Sequence, residues 1–194
     1  RTAPHRGGAM RSSGSHHAAS RQTRSGLADV QVAFLLVSHS AQDAAWSTSG
    51  AGGPVANWGG RFGAWLADTS FYLLGFSVWW CFAAGVRAWL STLAEWMRGH
   101  EPAPHEPSRL ARWAASRTAF WVGLAVLLCA STALEWSRLY RFEPRLPGHG
   151  GGVLGYLVGP ASVKWLGFTG SGLLGIALAV VGASLVFRFS WGHV

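Results

Sequence analysis

Residues 118–134, TAFWVGLAVLLCASTAL, form a run of seventeen residues without a formal charge, closed by Arg117 on one side and Glu135 on the other. As an α-helix the run is about 26 Å long at 1.5 Å per residue, close to the ~30 Å hydrocarbon core of a bilayer. Two other stretches repeat the pattern. Residues 69–86, TSFYLLGFSVWWCFAAGV, lie between Asp68 and Arg87, and residues 165–187, WLGFTGSGLLGIALAVVGASLVF, lie between Lys164 and Arg188. Trp65 and Trp89 flank the first of these, and Trp121 and Trp136 lie near the ends of the 118–134 run; amphipathic rings favour the headgroup level. Trp79 and Trp80 are deeper, where helix packing is their expected role. The three runs predict spanning helices over about 64–90, 117–136 and 170–190. The fold class is therefore all-α, a polytopic membrane helical bundle.

Composition supports the same class. Of 194 residues, 49% are hydrophobic and 12% charged, where a soluble domain carries about 25% charge. Twelve Trp, ten Phe and twenty-six Gly add to it, and mean hydropathy is positive. The net charge of +8 comes from sixteen basic residues, of which Lys164 is the single lysine. A nucleic-acid patch would interleave such charge with stacking aromatics. Here the arginines occupy the amino-terminal tail and the gaps between apolar runs, which suits anionic headgroups and control of topology. Direct nucleic-acid contact is not expected. Cys81 and Cys129 lie within apolar runs, outside any CxxC, and read as inert packed thiols. The sequence begins at Arg1, as a processed chain or a fragment would.

Between the spans the pattern weakens. Residues 1–26 are rich in Ser, Arg, His, Ala and Gly and lack apolar periodicity, so a disordered basic tail is expected; no signal-peptide h-region is present. The membrane domain then occupies 27–194. Its first apolar patch, VQVAFLLV at 30–37, sits in an uncharged stretch that ends at Gln42. A helix over about 28–40 would reach roughly 20 Å, so it reads as interfacial or as a truncated first span. A Gly/Ser/Pro-rich loop follows. The connection over 90–116 contains EPAPHEP and is basic through Arg98, Arg109, Arg112 and Arg117. VLGYLVGPASV at 153–163 is too short to cross and contains Pro160. It reads as an interfacial or re-entrant half-helix over about 152–163, separated from the last span by Lys164 and a GFTGS turn. On that span Ser171, Gly175, Ala179 and Ala183 recur every fourth residue, a small-residue stripe that permits close helix approach.

Chemistry-bearing patterns are missing. Lys164 is followed by Trp165, so no phosphate-cradling GxxxxGK[ST] loop exists, and neither HExxH nor GxSxG occurs. His16 and His17 fall in the tail, and no histidine pairs with a second ligand at metal spacing. No catalytic, cofactor-binding or metal-ligating residue is assigned, no cofactor is expected, and the chain does not read as an enzyme. Asp68 is the acidic residue at the edge of the 69–86 span that is weighed for function. Its expected role is structural, at the headgroups, with ion coupling as the competing reading.

Two blocks carry a family resemblance. One is 43–75, with D-x-x-W-S at Asp43–Ser47 and then GGPVANWGGRFGAWLADTSFYLLG. The other is 151–191, with GGVLGYLVGP and then LGFTGSGLLGIALAVVGASLVFRFSW. Together they resemble the amino-terminal four-helix membrane domain of FtsK/SpoIIIE-type DNA translocases in order and spacing, over about 150 residues including the intervening helices. The resemblance implies a multi-pass anchor in the bacterial inner membrane, at the division septum. It also implies that the anchor tethers a cytoplasmic DNA motor and recruits other division proteins. The lipid bilayer, those proteins and further copies of the chain are the implied partners. The family's ATPase lies beyond this domain, so no catalytic residue carries over. The patch at 30–37 departs from the family, which has a complete first span there. The competing class is a small ion-coupled or substrate transporter, suggested by Asp68 and the broken helix near Pro160.

Charge alone leaves orientation open. With four crossings and both termini cytoplasmic, eleven basic residues lie inside and five outside; with three crossings and an inside tail the split is ten to six. The resemblance favours the first. It puts the connection around His105 and Val194 in the cytoplasm and the loop around Gly150 in the periplasm.

Overall fold

The structure, a computed structural model, describes residues 28–50, 52–98, 116–139, 146 and 148–188. The tail, the EPAPHEP connection and the last six residues lie outside the described residues, and so do the expectations that fall on them. All regular structure among the described residues is helical: α1 (Ala28–Val37), α2 (Gly60–Leu74), a 3-10 turn (Gly75–Ser77), α3 (Val78–Arg98), α4 (Arg117–Arg138) and α5 (Gly152–Phe187). Three segments, Gly60–Ala94, Arg117–Arg138 and Gly152–Phe187, are long and apolar enough to cross a membrane. The all-helical membrane bundle with three such segments and a short first helix is therefore what forms.

Two of the three differ in detail from their sequence pattern. Gly60–Ala94 has 35 residues, about 52 Å if straight, far more than one hydrocarbon core holds. It is broken at Gly75, whose φ of 58° and ψ of −146° suit a residue without a Cβ. The span expected over 64–90 is thus two helices, and α3, with 21 residues, matches the 22 of α4 in length. The third segment is also two limbs. Proline was the expected breaker, but the backbone stays helical through Pro160 and Lys164 and departs only at Gly167 (φ 68°, ψ 173°). One glycine makes the bend that GFTGS was expected to make over five residues.

Helix α1 ends at Val37, short of residue 40, where Ser38 Oγ turns back to donate to the Phe34 carbonyl at 2.6 Å. It runs antiparallel along the first half of α3. Asp29 lies beside Gly85, and Leu36 is buried with Ala67, Phe71 and Val78, with Trp79 packed against them. About 15 Å of helix covers only half the length of α3. Trp80 meets Phe187 of α5 instead, at 6.2 Å between centroids.

Helix α4 is the axis on which both limbs of α5 pack. Gly155 sits on the Thr132 carbonyl and Gly159 on the Trp136 ring, so limb 152–166 runs parallel to α4. It starts at the level of Thr132, about 9 Å short of the end of α4, and climbs toward Arg138. Limb 168–187 returns antiparallel, with Gly175 against Leu134 and Gly182 against Leu127 and Gly123. Arg138 holds the bend: its Nη2 donates to the Phe168 carbonyl at 2.5 Å, and its guanidinium lies 4.1 Å above the Phe168 ring. The small-residue stripe faces this helix. Ser171 is buried, Gly175 is buried, and Ala179 and Ala183 pack on Ala84, Leu127 and Val186.

The glycines differ in what they touch. A Cβ on Gly182 would stand 2.7 Å from the Leu127 nitrogen and 2.8 Å from the Gly123 carbonyl oxygen, whereas one on Gly175 would meet the Leu134 side chain at 3.0 Å. Backbone cannot step aside, but a leucine tip can. Gly182→Ala should therefore destabilise the bundle by about 1–3 kcal/mol through overpacking, and Gly175→Ala by distinctly less. Thermal unfolding in detergent checks the order, and equal midpoints for the two variants would contradict it.

Candidate functional site

A helix that starts in an apolar environment leaves its first N–H groups without partners. Unpaired amides are costly wherever water is scarce. The break at Gly75 creates such a start at Phe76 and Ser77, and the left-handed turn at Gly151 creates another for α5. One carboxylate serves both. Glu135, 6% exposed, accepts from the Phe76 N–H at 2.9 Å and from the Ser77 hydroxyl, itself linked to Ser131 Oγ at 2.7 Å. The backbone N–H groups of Ser77 and Gly151 also point to it. A negative charge at two helix starts is favoured by their dipoles as well as by the hydrogen bonds.

Space at this junction is set by glycine. A Cβ on Gly75 would stand 2.6 Å from Glu135 Oε2 and 2.8 Å from Gly151 Cα, and one on Gly152 would be 2.5 Å from the Leu73 carbonyl carbon. Three chain segments meet there at backbone distance.

The second polar cluster organises the loop over 38–59. Asp43, 4% exposed, accepts from the Ala56 N–H at 2.7 Å and the Asn57 N–H at 2.9 Å, and its own carbonyl accepts from Thr48 Oγ1 at 2.9 Å. Asn57 donates through Nδ2 to the Leu35 carbonyl at 2.9 Å and accepts from the Gly59 N–H at 2.9 Å. Asp68, fully buried on α2, accepts from the Ser47 N–H at 2.7 Å and the Ser47 hydroxyl at 2.8 Å. Trp46 then packs edge-on to Tyr72, 4.8 Å between centroids. The loop is thereby stitched to α1 and α2 at both ends.

Asp68, marked in the sequence as an edge-of-span acid, is thus a structural acceptor in this cluster. Cys81 and Cys129 are free and half-buried. Among the described residues, no three His, Cys, Asp or Glu gather as a metal site. Glu135 was read only as the charge that closes a span. What marks it is a glycine in another apolar run that must break, but sequence alone does not say which glycine faces which acid. His39, just after α1, carries no motif in the sequence. Its ring lies 5.0 Å from that of Phe71, and its Nε2 is buried without a hydrogen-bond partner. Burial pushes the imidazole pKa down from its usual value, against the opposing pull of Asp68 and Asp43.

Two measurements follow from this geometry. Glu135→Ala leaves buried amides unpaired, at on the order of 1–3 kcal/mol each, whereas Glu135→Gln keeps a carbonyl acceptor and should fall between it and the wild type. Thermal unfolding in detergent ranks the three; an Ala variant as stable as wild type would remove the junction from the fold's energetics. For His39, a lowered pKa means that the unfolded chain takes up the proton first. Its contribution to stability is full above the unfolded pKa of about 6.5 and is lost as pH falls through it toward the lower folded value. Protease cleavage of the 38–59 loop should rise on acidification from about pH 7.5 to 5, and His39→Phe should flatten that rise. An unchanged pH profile in the variant would assign the effect elsewhere.

Comparison with known proteins places this architecture. Residues 25–194 match the family described as the 4TM region of DNA translocase FtsK/SpoIIIE. The chain is 38% identical over 171 residues to DNA translocase FtsK 2 of Ralstonia nicotianae, covering 85% of this chain and 21% of that protein. It is 33% identical over 166 residues to DNA translocase FtsK 1 of Neisseria meningitidis serogroup B, covering 84% and 19%. It is 34% identical over 164 residues to DNA translocase FtsK of Pseudomonas syringae pv. syringae, covering 83% and 19%. The chain therefore spans about a fifth of the length of these curated relatives. No solved structure matches it. With three apolar helices long enough to cross, a glycine-broken first segment and a bent last one, the chain is a multi-pass membrane protein that belongs to the 4TM family of FtsK/SpoIIIE DNA translocases.

Proposed function

We propose that this chain is the inner-membrane anchor of a cell-division DNA translocase, holding a cytoplasmic motor at the septum and recruiting other division proteins there. The observation that carries this reading is the family match over 25–194, which takes in the membrane region of relatives named DNA translocase and stops short of their greater length. The charge distribution supports it. Arg87, Arg117 and Arg188 gather at the end of the bundle away from Glu135, as a cytoplasmic face would by the positive-inside rule. The hydrogen-bonded loop segments at the other end offer exposed aromatics, Trp46 and Trp58, to periplasmic partners or a second copy. The chain itself contributes no DNA contact in this arrangement. Ion-coupled transport draws little support, because the carboxylate buried beside the helix break is already committed to backbone and hydroxyl donors.

The test is a fusion of green fluorescent protein after Val194, a reporter that does not fluoresce when exported unfolded to the periplasm. Fluorescence concentrated in a ring at the division site is expected. A membrane-inserted but dark fusion would overturn the cytoplasmic tether. A bright fusion spread evenly over the envelope would overturn septal recruitment.

A further inference from the structure

Helix α2 does not prolong the crossing that α3 makes. Helix α1 stands along α3, with Asp29 beside Gly85 and Leu36 in one buried cluster with Val78. Helix α3 in turn stands along α4, from Ser77 at Glu135 to Ala84 in the cluster of Leu127. A helix that ran beside α1 would meet it turn for turn. Instead, nearly the whole of α2 rests on the last residues of α1 and those just after it. Leu35 lies on Gly59 and Gly63, Leu36 clusters with Ala67 and Phe71, and the His39 ring is 5.0 Å from the Phe71 ring. About 18 Å of α2 is thus received by about 6 Å of chain along the α1 axis, which requires a steep crossing. The far end of α2 adjoins Gly75, which stands against Glu135, about 5 Å before the end of α4. Both ends of α2 therefore lie at one level, the boundary of the apolar segments.

The side of α2 turned to the protein carries Gly63, Ala64, Ala67, Asp68 and Phe71. The opposite side is apolar as well. Phe62 is 72% exposed, and Trp65 and Leu73 are each 45% exposed, at the spacing of one helical stripe. Arg61 is exposed and shares a side of the helix with Asp68, one repeat further on, which holds the loop through Ser47. The apolar stripe continues onto α1. The Phe34 and Trp58 rings are 5.4 Å apart, and with Phe62 they line one cavity of about 490 Å3. Phe34 itself belongs to an exposed stripe with Val30 and Val37, on a helix that lies against the spanning α3. The chain before Ala28 joins at the far end of α1, and the chain returning from α4 arrives at Gly148 beside Tyr72, so Phe62 stands away from both junctions. A helix parallel to the bilayer at its boundary, with an apolar outer face edged by Trp and Arg, has the build of an interfacial helix. We propose that α2 lies in the headgroup–acyl boundary of one leaflet, with Phe62, Trp65 and Leu73 against acyl chains and Arg61 at the lipid phosphates. Lipid is the occupant rather than a second copy, because the stripe continues the outward surface of α1 at the same depth. Which leaflet it is does not enter the argument.

The experiment measures depth in the full 194-residue chain, in vesicles of phosphatidylethanolamine and phosphatidylglycerol. Spin labels are attached at Phe62→Cys, Trp65→Cys and Leu73→Cys, one at a time, with Cys81 and Cys129 replaced by Ala. Each label replaces an exposed side chain. Thr69→Cys, whose hydroxyl bonds only back to the Trp65 carbonyl, repeats the reading farther from the Gly75 junction. Collisions with oxygen, which concentrates among acyl chains, are compared with those of a water-soluble nickel chelate. Labels at Leu173→Cys and Val180→Cys, exposed on the crossing limb of α5, calibrate the scale, because they should differ in depth by about 10 Å. The Phe62 and Leu73 labels are expected at one depth, within about 5 Å, with oxygen favoured over nickel. Were α2 a continuation of the crossing, they would differ by about 16 Å, and that result would overturn the proposal. Nickel collisions as frequent as at Ser49→Cys, exposed in the loop, would put α2 in water and overturn it too. Few collisions with either reagent would mean that protein covers the stripe, a second copy or another part of the chain, and the lipid assignment would fail.

Discussion

The Glu135 carboxylate makes the broken helices of this protein tolerable. In hydrocarbon a helix can neither stop nor restart without stranding amides that water cannot reach. The chain nevertheless restarts at Phe76, after Gly75, and at Gly152, after the left-handed turn at Gly151. Both restarts face one acid on α4, which accepts from Phe76 and from Ser77 Oγ and lies against the Gly151 amide. A carboxylate so close to the end of a span is favourable only because its charge is spent on donors that the breaks expose. Break and acid therefore depend on each other. An unbroken α2–α3 would take the Phe76 amide from Glu135, and a missing Glu135 would leave the amides at both breaks unpaired.

Glycine is the second half of the same constraint. Apolar burial drives helix association weakly when the solvent is itself apolar, so contact distance matters more. Along α5 the residues that touch α4 include Gly155, Gly159, Gly175 and Gly182, and the larger side chains, Leu173, Ile176 and Val180, are exposed on the other side. The bend at Gly167 doubles the use of this principle. It folds one 36-residue helix back on itself, so α4 receives glycines from both limbs, and Arg138 closes the bend with a hydrogen bond and a ring contact.

Much of this was legible in the sequence, and what was not has a physical cause. Spans are visible because runs of uncharged residues have a length that the bilayer dictates, and the stripe from Ser171 to Ala183 is visible because helical period is local. The 43–75 and 151–191 blocks carried the family because their glycines, with Asp43 and Asp68 in the first, fall in fixed order. The breaks were harder. A glycine inside an apolar run reads alike whether it permits packing, as Gly175 does, or takes a positive φ, as Gly75 and Gly167 do. Pro160 drew attention as a breaker, yet the helix passes through it. Glu135 and Asp68 looked equivalent as span boundaries. They differ only through partners 58 or 59 residues away for one and 21 for the other, and such pairings are tertiary facts that local periodicity does not encode.

The two ends of the bundle are consequently built on opposite terms. At one end Asp43, Asp68 and Glu135 are buried, and the donors that satisfy them are the protein's own backbone amides and serine hydroxyls. Those donors tie the loop to α1 and α2. At the other end Arg87, Arg117 and Arg188 surround a cavity without a lining carboxylate among the described residues. A chain arranged in this way carries its own hydrogen-bond donors where its helices break and where its loop must join them.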